Sequence, residues 1–144
     1  RITLIIVHCT ANRAGSALRL ADIDRYHRSL GWNGCGYHYV ISADGTIEAG
    51  RPEERVGAHC KNHNRHSIGV AYVGGLAADG KTPCDTRTEA QKRALRRLLC
   101  DLHKRYPKAL IVGHCDLEPM KPYCPGFDVS AMMNEDSGLF FNDL

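Results

Sequence analysis

No stretch of this 144-residue chain approaches the roughly 20 consecutive apolar residues that a membrane-spanning helix needs, so no membrane span is expected. The first seven residues, RITLIIV, lack the charged-then-apolar order of a secretory leader, and no signal peptide is expected. Internal repeats, low-complexity tracts and linker-like stretches are also missing. Residues 1–144 are therefore expected to form a single domain, long enough to bury a core. Net charge is scarce as well. A formal +3, spread along the chain, argues against a dedicated nucleic-acid binder and is compatible with an anionic polymer such as a cell wall. There is no CxxC pair of the kind that builds a structural zinc knuckle. A carboxylate pair of the glycosidase type is not evident either.

Cysteine, by contrast, is plentiful: seven, at positions 9, 35, 60, 84, 100, 115 and 124. An odd number does not pair completely within one chain. Two readings stand, that most are buried small hydrophobes or that one or two disulfides form in an oxidising compartment.

The apolar pattern alternates between strand and helix. Ile2–Val7 reads as a strand covered on both faces, and Ala11–Ala17 as a loop. Ile23, Tyr26, His27 and Leu30 form a helical stripe from Asp22 that Gly31 ends. Tyr37–Ile41 predicts a strand, with Tyr37, Tyr39 and Ile41 on one face, turning at Asp44-Gly45 into Thr46–Ala49. Arg51–His66 is polar and irregular, Ile68–Val73 is a strand, and Ala77–Pro83 is a loop. Thr88 with Gln91 forms a capping-box signature. The helix it opens runs to about Tyr106 and buries Ala90, Ala94, Leu95, Leu98, Leu99 and Leu102. The strand Leu110–Val112 and a short helix from about Val129 complete the chain. Interleaved strands and helices with one forced hairpin predict an α/β fold, a central mixed β-sheet flanked by helices.

Chemistry gathers where strands meet solvent. Leu4-Ile5-Ile6-Val7 runs straight into His8, and Leu110-Ile111-Val112-Gly113 into His114; Cys124 follows ten residues later, before a Pro-Gly turn. If the two apolar runs are parallel neighbours, both histidines emerge at one sheet edge, and Cys124 closes a three-ligand site. Three protein ligands leave the fourth tetrahedral position open, the pattern of catalytic zinc. Asp116 and Asp128 lie near these ligands as candidate partners of an imidazole, Asp128 equally as a helix N-cap. His59, His63 and His66 stand among Asn62, Asn64 and Arg65, which reads as a wet loop more than as a second metal site. Cys124 as a nucleophile with a histidine base is the competing chemistry.

The motifs VHCTA (7–11), GWNGCGYHYVI (31–41), DGTIEAGR (44–51), VGAHC (56–60), SIGVAYVGG (67–75) and CPGFD (124–128) resemble, in order, those of the zinc-dependent N-acetylmuramoyl-L-alanine amidases. The likeness is to the bacteriophage-lysozyme type, which shares a fold with peptidoglycan recognition proteins. It implies one Zn2+ per chain on His8, His114 and Cys124, with Tyr37 and Lys121 as catalytic residues. Lys121 precedes the cysteine by three positions where close members have two. The resemblance also places His59 in the cleft, facing substrate. The implied reaction is hydrolysis of the amide between N-acetylmuramic acid and the first L-alanine of the peptidoglycan stem. The enzyme is expected to be a monomer acting at the cell wall, in the periplasm, outside the cell, or after release from the cytoplasm of a phage-infected or prophage-bearing bacterium. In this chemistry Tyr37 orients the attacking water or hydrogen-bonds the tetrahedral intermediate, and a Lys121 ammonium stabilises the oxyanion. One such donor is worth about 3 kcal/mol. A peptidoglycan-binding module without catalysis is the alternative within the same fold.

Overall fold

The two apolar runs that end in histidine do lie side by side. In the computed structural model, which describes residues 1–135, the elements in chain order are β1 (Leu4–Cys9), β2 (Asn12–Arg13), α1 (Leu20–Ser29), β3 (Tyr39–Ile41), β4 (Ile47–Ala49), β5 (Ser67–Tyr72), β6 (Gly75–Leu76), α2 (Glu89–Arg105), β7 (Leu110–Gly113) and α3 (Val129–Glu135). Residues 136–144, the end of the expected single domain, lie outside the described residues. The main sheet has the order β4-β3-β5-β1-β7, and β2 pairs with β6 in a small parallel sheet. β1 runs parallel to both β5 and β7, and β3 parallel to β5, while β3 and β4 form the antiparallel hairpin. Gly45 turns that hairpin with φ of 88°, a left-handed value that glycine adopts at no steric cost.

Alternation along β1 sorts its side chains between two faces. Ile5, Val7 and Cys9 join the larger core with Leu95, Leu99 and Leu102 of α2 and Val129 and Met132 of α3. His8 therefore points to the opposite face, where Ile23 of α1 packs with Cys35, Val40 and Val73. Helices on both faces of a mixed sheet are the architecture expected from the interleaved pattern. Each fully buried leucine of α2 contributes about 1.5–3 kcal/mol through the apolar surface it removes from water.

Local details depart from the pattern for identifiable reasons. α2 opens at the Thr88–Gln91 box, each side chain bonding the other's backbone N–H at 3.0 Å. Gln91 does more than cap. It is buried, and its amide donates to Ile41 O and Val73 O at 3.2 and 3.0 Å, whereas Ala90, expected in the core, is only half-buried. α1 starts two residues before Asp22, because the Asp22 carboxylate accepts from Arg19 N–H at 2.9 Å. Tyr26 and Leu30 of its expected stripe are exposed, leaving Ile23 and His27 to pack inward. β3 begins at Tyr39, not Tyr37. His38 bonds Gly69 N–H through Nδ1 and Arg55 O through Nε2, at 3.0 and 2.8 Å. Alternation breaks there, so Tyr37 packs with the α1 cluster while Tyr39 and Ile41 face the other core. All seven cysteines are free, three of them buried, three half-buried and Cys84 exposed. No helix among the described residues is long and apolar enough to cross a membrane.

Candidate metal centre

Val7 of β1 pairs with Gly113 of β7, so one step further along both strands His8 and His114 emerge together. Their Nδ1 atoms stand 3.1 Å apart, and both side chains are buried. Past β7 the chain makes one tight helical turn, His114–Asp116, in which the Asp116 carboxylate accepts from Gly113 N–H at 2.8 Å.

Cys124 is brought back by three bonds. Its carbonyl accepts from Cys115 N–H at 2.8 Å, the carbonyl of the next residue, Pro125, accepts from the buried Tyr72 hydroxyl at 2.6 Å, and its sulfur accepts from Cys9 N–H at 3.3 Å. Cys124 Sγ then lies 3.9 Å from His8 Nδ1. His8, His114 and Cys124 offer donor atoms that all fall within 4.8 Å of one another.

These spacings suit a metal ion. In a tetrahedral zinc site with ordinary bond lengths, two nitrogens lie about 3.4 Å apart and a nitrogen and a sulfur about 3.6 Å. Burial, then the nearby His59 and His114, holds His8 well below the ordinary histidine value, so the ring is neutral with a lone pair to give. Burial lowers His114 likewise, against the pull of Glu118. The adjoining Cys9 sulfur and burial push the Cys124 thiol up. A divalent cation sharing the sulfur displaces the proton itself.

The remaining expected residues fall in different places. Tyr37 is half-buried, its ring centroid 5.3 Å from that of His8 and 5.5 Å from that of His27. Burial, then the Cys124 and Cys9 sulfurs, raises its phenol far above the usual range, so it stays a hydrogen-bond donor. Beside it opens a cavity of about 710 Å³ lined by Thr10, Asn12, Leu18, Asp22, Tyr26 and His27. Lys121 is exposed on the turn before Cys124, near enough for its charge to bear on His114 and Glu118. His59, expected to face substrate, instead has both ring nitrogens engaged inside the protein: Nδ1 is 2.8 Å from His8 Nε2, and Nε2 is 3.2 Å from Ser67 Oγ. His63 and His66 pack edge-on against each other, 5.6 Å between centroids, and take part in no metal-ligand cluster found among the described residues.

Asp116 caps a turn and Asp128 caps α3, accepting from Ala131 N–H at 3.2 Å; neither reaches an imidazole. That place belongs to Glu118, whose Oε2 is 3.3 Å from His114 Nε2 and whose Oε1 accepts from Lys61 N–H at 2.7 Å. The four-residue spacing from His114 was the available signal for it. Cys60, His114 and Glu118 also gather within 4.8 Å. Burial and then the Glu118 charge push the Cys60 thiol up to about 11, which fits a packed thiol beside an orienting carboxylate.

The sequence profile of a family described as N-acetylmuramoyl-L-alanine amidase matches residues 1–127. The endolysin of Klebsiella phage KP32 is 42% identical over 125 residues, spanning 87% of this chain and 81% of that protein. The endolysin of Escherichia phage T7 is 41% identical over the same shares of the two chains. Among solved structures, the N-acetylmuramoyl-L-alanine amidase LysC from Clostridium intestinale URNW matches with a TM-score of 0.76 at 29% identity, covering 93% of this chain and 84% of that one.

Proposed function

The chain belongs to the N-acetylmuramoyl-L-alanine amidase family and hydrolyses the amide between N-acetylmuramic acid and the L-alanine of the peptidoglycan stem; we propose that it does so with one zinc ion per chain, held by His8, His114 and Cys124. One observation carries the metal assignment. Two neutral imidazoles and a thiol converge from β1, β7 and the Cys124 loop at spacings that suit a tetrahedral ion.

Zinc bound there supplies a Lewis acid and brings the pKa of a bound water toward neutrality. The other groups belong to the chain. Tyr37 stands between the imidazoles and the open cavity, where a phenol that keeps its proton donates to an oxygen gaining charge. Lys121 supplies a positive charge near His114 and Glu118, and one such donor is worth about 3 kcal/mol in the transition state. Glu118 Oε2 lies 3.3 Å from His114 Nε2, on the ring's second nitrogen.

Residues 1–144 act as a single amidase domain, a monomer with peptidoglycan as its substrate. The similarity to phage endolysins supports action at the cell wall after release from the cytoplasm. Mass spectrometry of digested peptidoglycan tests the reaction: free stem peptides with new L-alanine amino termini and intact glycan strands are expected. New reducing ends would mean glycan cleavage, and sustained binding with no new termini would mean a recognition module.

A further inference from the structure

We propose that His59 is a positioning residue for His8: it holds the His8 imidazole in the tautomer and rotation that present Nδ1 to the metal, with Ser67 at the far end of the same hydrogen-bond chain. The inference rests on the zinc reading above and goes beyond it.

The tautomers follow one from another. His8 turns Nδ1 toward His114 Nδ1, at 3.1 Å, and toward Cys124 Sγ, at 3.9 Å. A ring that gives its Nδ1 lone pair to a metal carries its proton on Nε2. That N–H has His59 Nδ1 as its acceptor at 2.8 Å. With Nδ1 accepting, neutral His59 carries its own proton on Nε2, which donates to Ser67 Oγ at 3.2 Å. Ser67 is buried at the start of β5, two strand positions before Gly69.

The fold builds a slot for this ring. A Cβ on Gly69 would stand 2.6 Å from His59 Cγ, and one on Gly57 would stand 2.6 Å from its Cδ2, so the ring rests against bare backbone at both glycines. Its own backbone N–H and that of Cys60 both donate to Asn64 Oδ1 at 2.9 Å. The two rings meet edge to face, 4.9 Å between centroids at 88°. His38 closes the slot with a second edge contact at 5.7 Å and is itself pinned at both nitrogens. Both His59 ring nitrogens are engaged within the protein. His8 thus has an imidazole behind it where His114 has the Glu118 carboxylate. Loss of such a partner typically weakens metal binding about 10- to 100-fold.

Zinc dissociation constants of the purified full chain, measured by competition with a chromophoric chelator, test this. His59→Ala should bind zinc about 10- to 100-fold more weakly than the parent. His59→Asn, whose amide oxygen stands in for the accepting Nδ1, should remain within about threefold, and Ser67→Ala should fall between the two. In the zinc-loaded parent, nitrogen-edited NMR should show a slowly exchanging His8 Nε2–H that broadens away in His59→Ala. Unchanged zinc affinity in His59→Ala overturns the proposal, as does a His59→Asn variant as weak as the alanine, which would mark a packing role. Should His59→Ala fail to fold, His59→Asn and Ser67→Ala decide: wild-type affinity in Ser67→Ala together with weak binding in His59→Asn overturns it. Failure of the zinc reading shows separately, as a parent protein without one zinc equivalent.

Discussion

His8 Nδ1 and His114 Nδ1, 106 positions apart in the chain, stand 3.1 Å from each other because the parallel strands that carry them end in register. Two buried ring nitrogens that close can share a proton or a cation between them. Cys124, tied to Cys9 N–H, completes the set.

Elemental analysis of the purified protein should find about one zinc per chain, as for a single catalytic site. Cys124→Ala should lose most of it at equal protein concentration. Full retention of zinc in that variant would remove Cys124 from the ligand set.

Tyr37→Phe and Lys121→Ala should keep the zinc content and the melting curve of the parent. Turnover should fall by roughly a hundredfold in each, since each loses a donor to charge that develops only in the transition state. Lys121 is the sharper test, because it is exposed. Parental turnover in Lys121→Ala would make it an ordinary surface residue.

Gly69→Ala should cost about 1–3 kcal/mol, because the new methyl overpacks a filled site. The clash is with His59 ring atoms at 2.6–2.7 Å, and Gly57 also lies close against that ring. The urea midpoint measures this, and an unchanged midpoint would show that the slot yields freely.

Acid should weaken the fold partly through His38. Burial holds this imidazole below its ordinary 6.5, and protonation at Nδ1 breaks the bond from Gly69 N–H. The unfolded chain therefore takes up the proton first as pH falls below about 6.5, so this stability is present above that value and lost toward the lower folded value. Each such proton gives a slope of at most about 1.4 kcal/mol per pH unit. In denaturant unfolding between pH 7 and 5, His38→Gln should show a shallower acid slope than the parent, by up to one proton. Identical slopes would mean that His38 titrates alike in both states.

Much of the arrangement is legible in the linear chain. Short apolar runs bounded by turn signals read as strands, and Thr88 with Gln91 marks where α2 begins, since both signals come from neighbours a few residues apart. The same locality put His8 and His114 at strand ends and Cys124 on a Pro-Gly turn. Tyr37 eluded it, because period-two alternation assumes a continuous strand, and His38 breaks that continuity by bonding to Gly69, thirty-one residues away.

What the sequence by itself determined is thus the set of elements and the residue types at their ends, because burial periodicity is a property of short segments. Which imidazole faces the metal, which stands behind it, and that Glu118 and not Asp116 meets His114 were decided only by the tertiary structure. The reason is physical: a ring's orientation is set by the partner of each nitrogen. For His8 those partners lie 51 and 106 residues away, brought within reach only when His59 of the Arg51–His66 loop meets the ring and β7 pairs in register with β1.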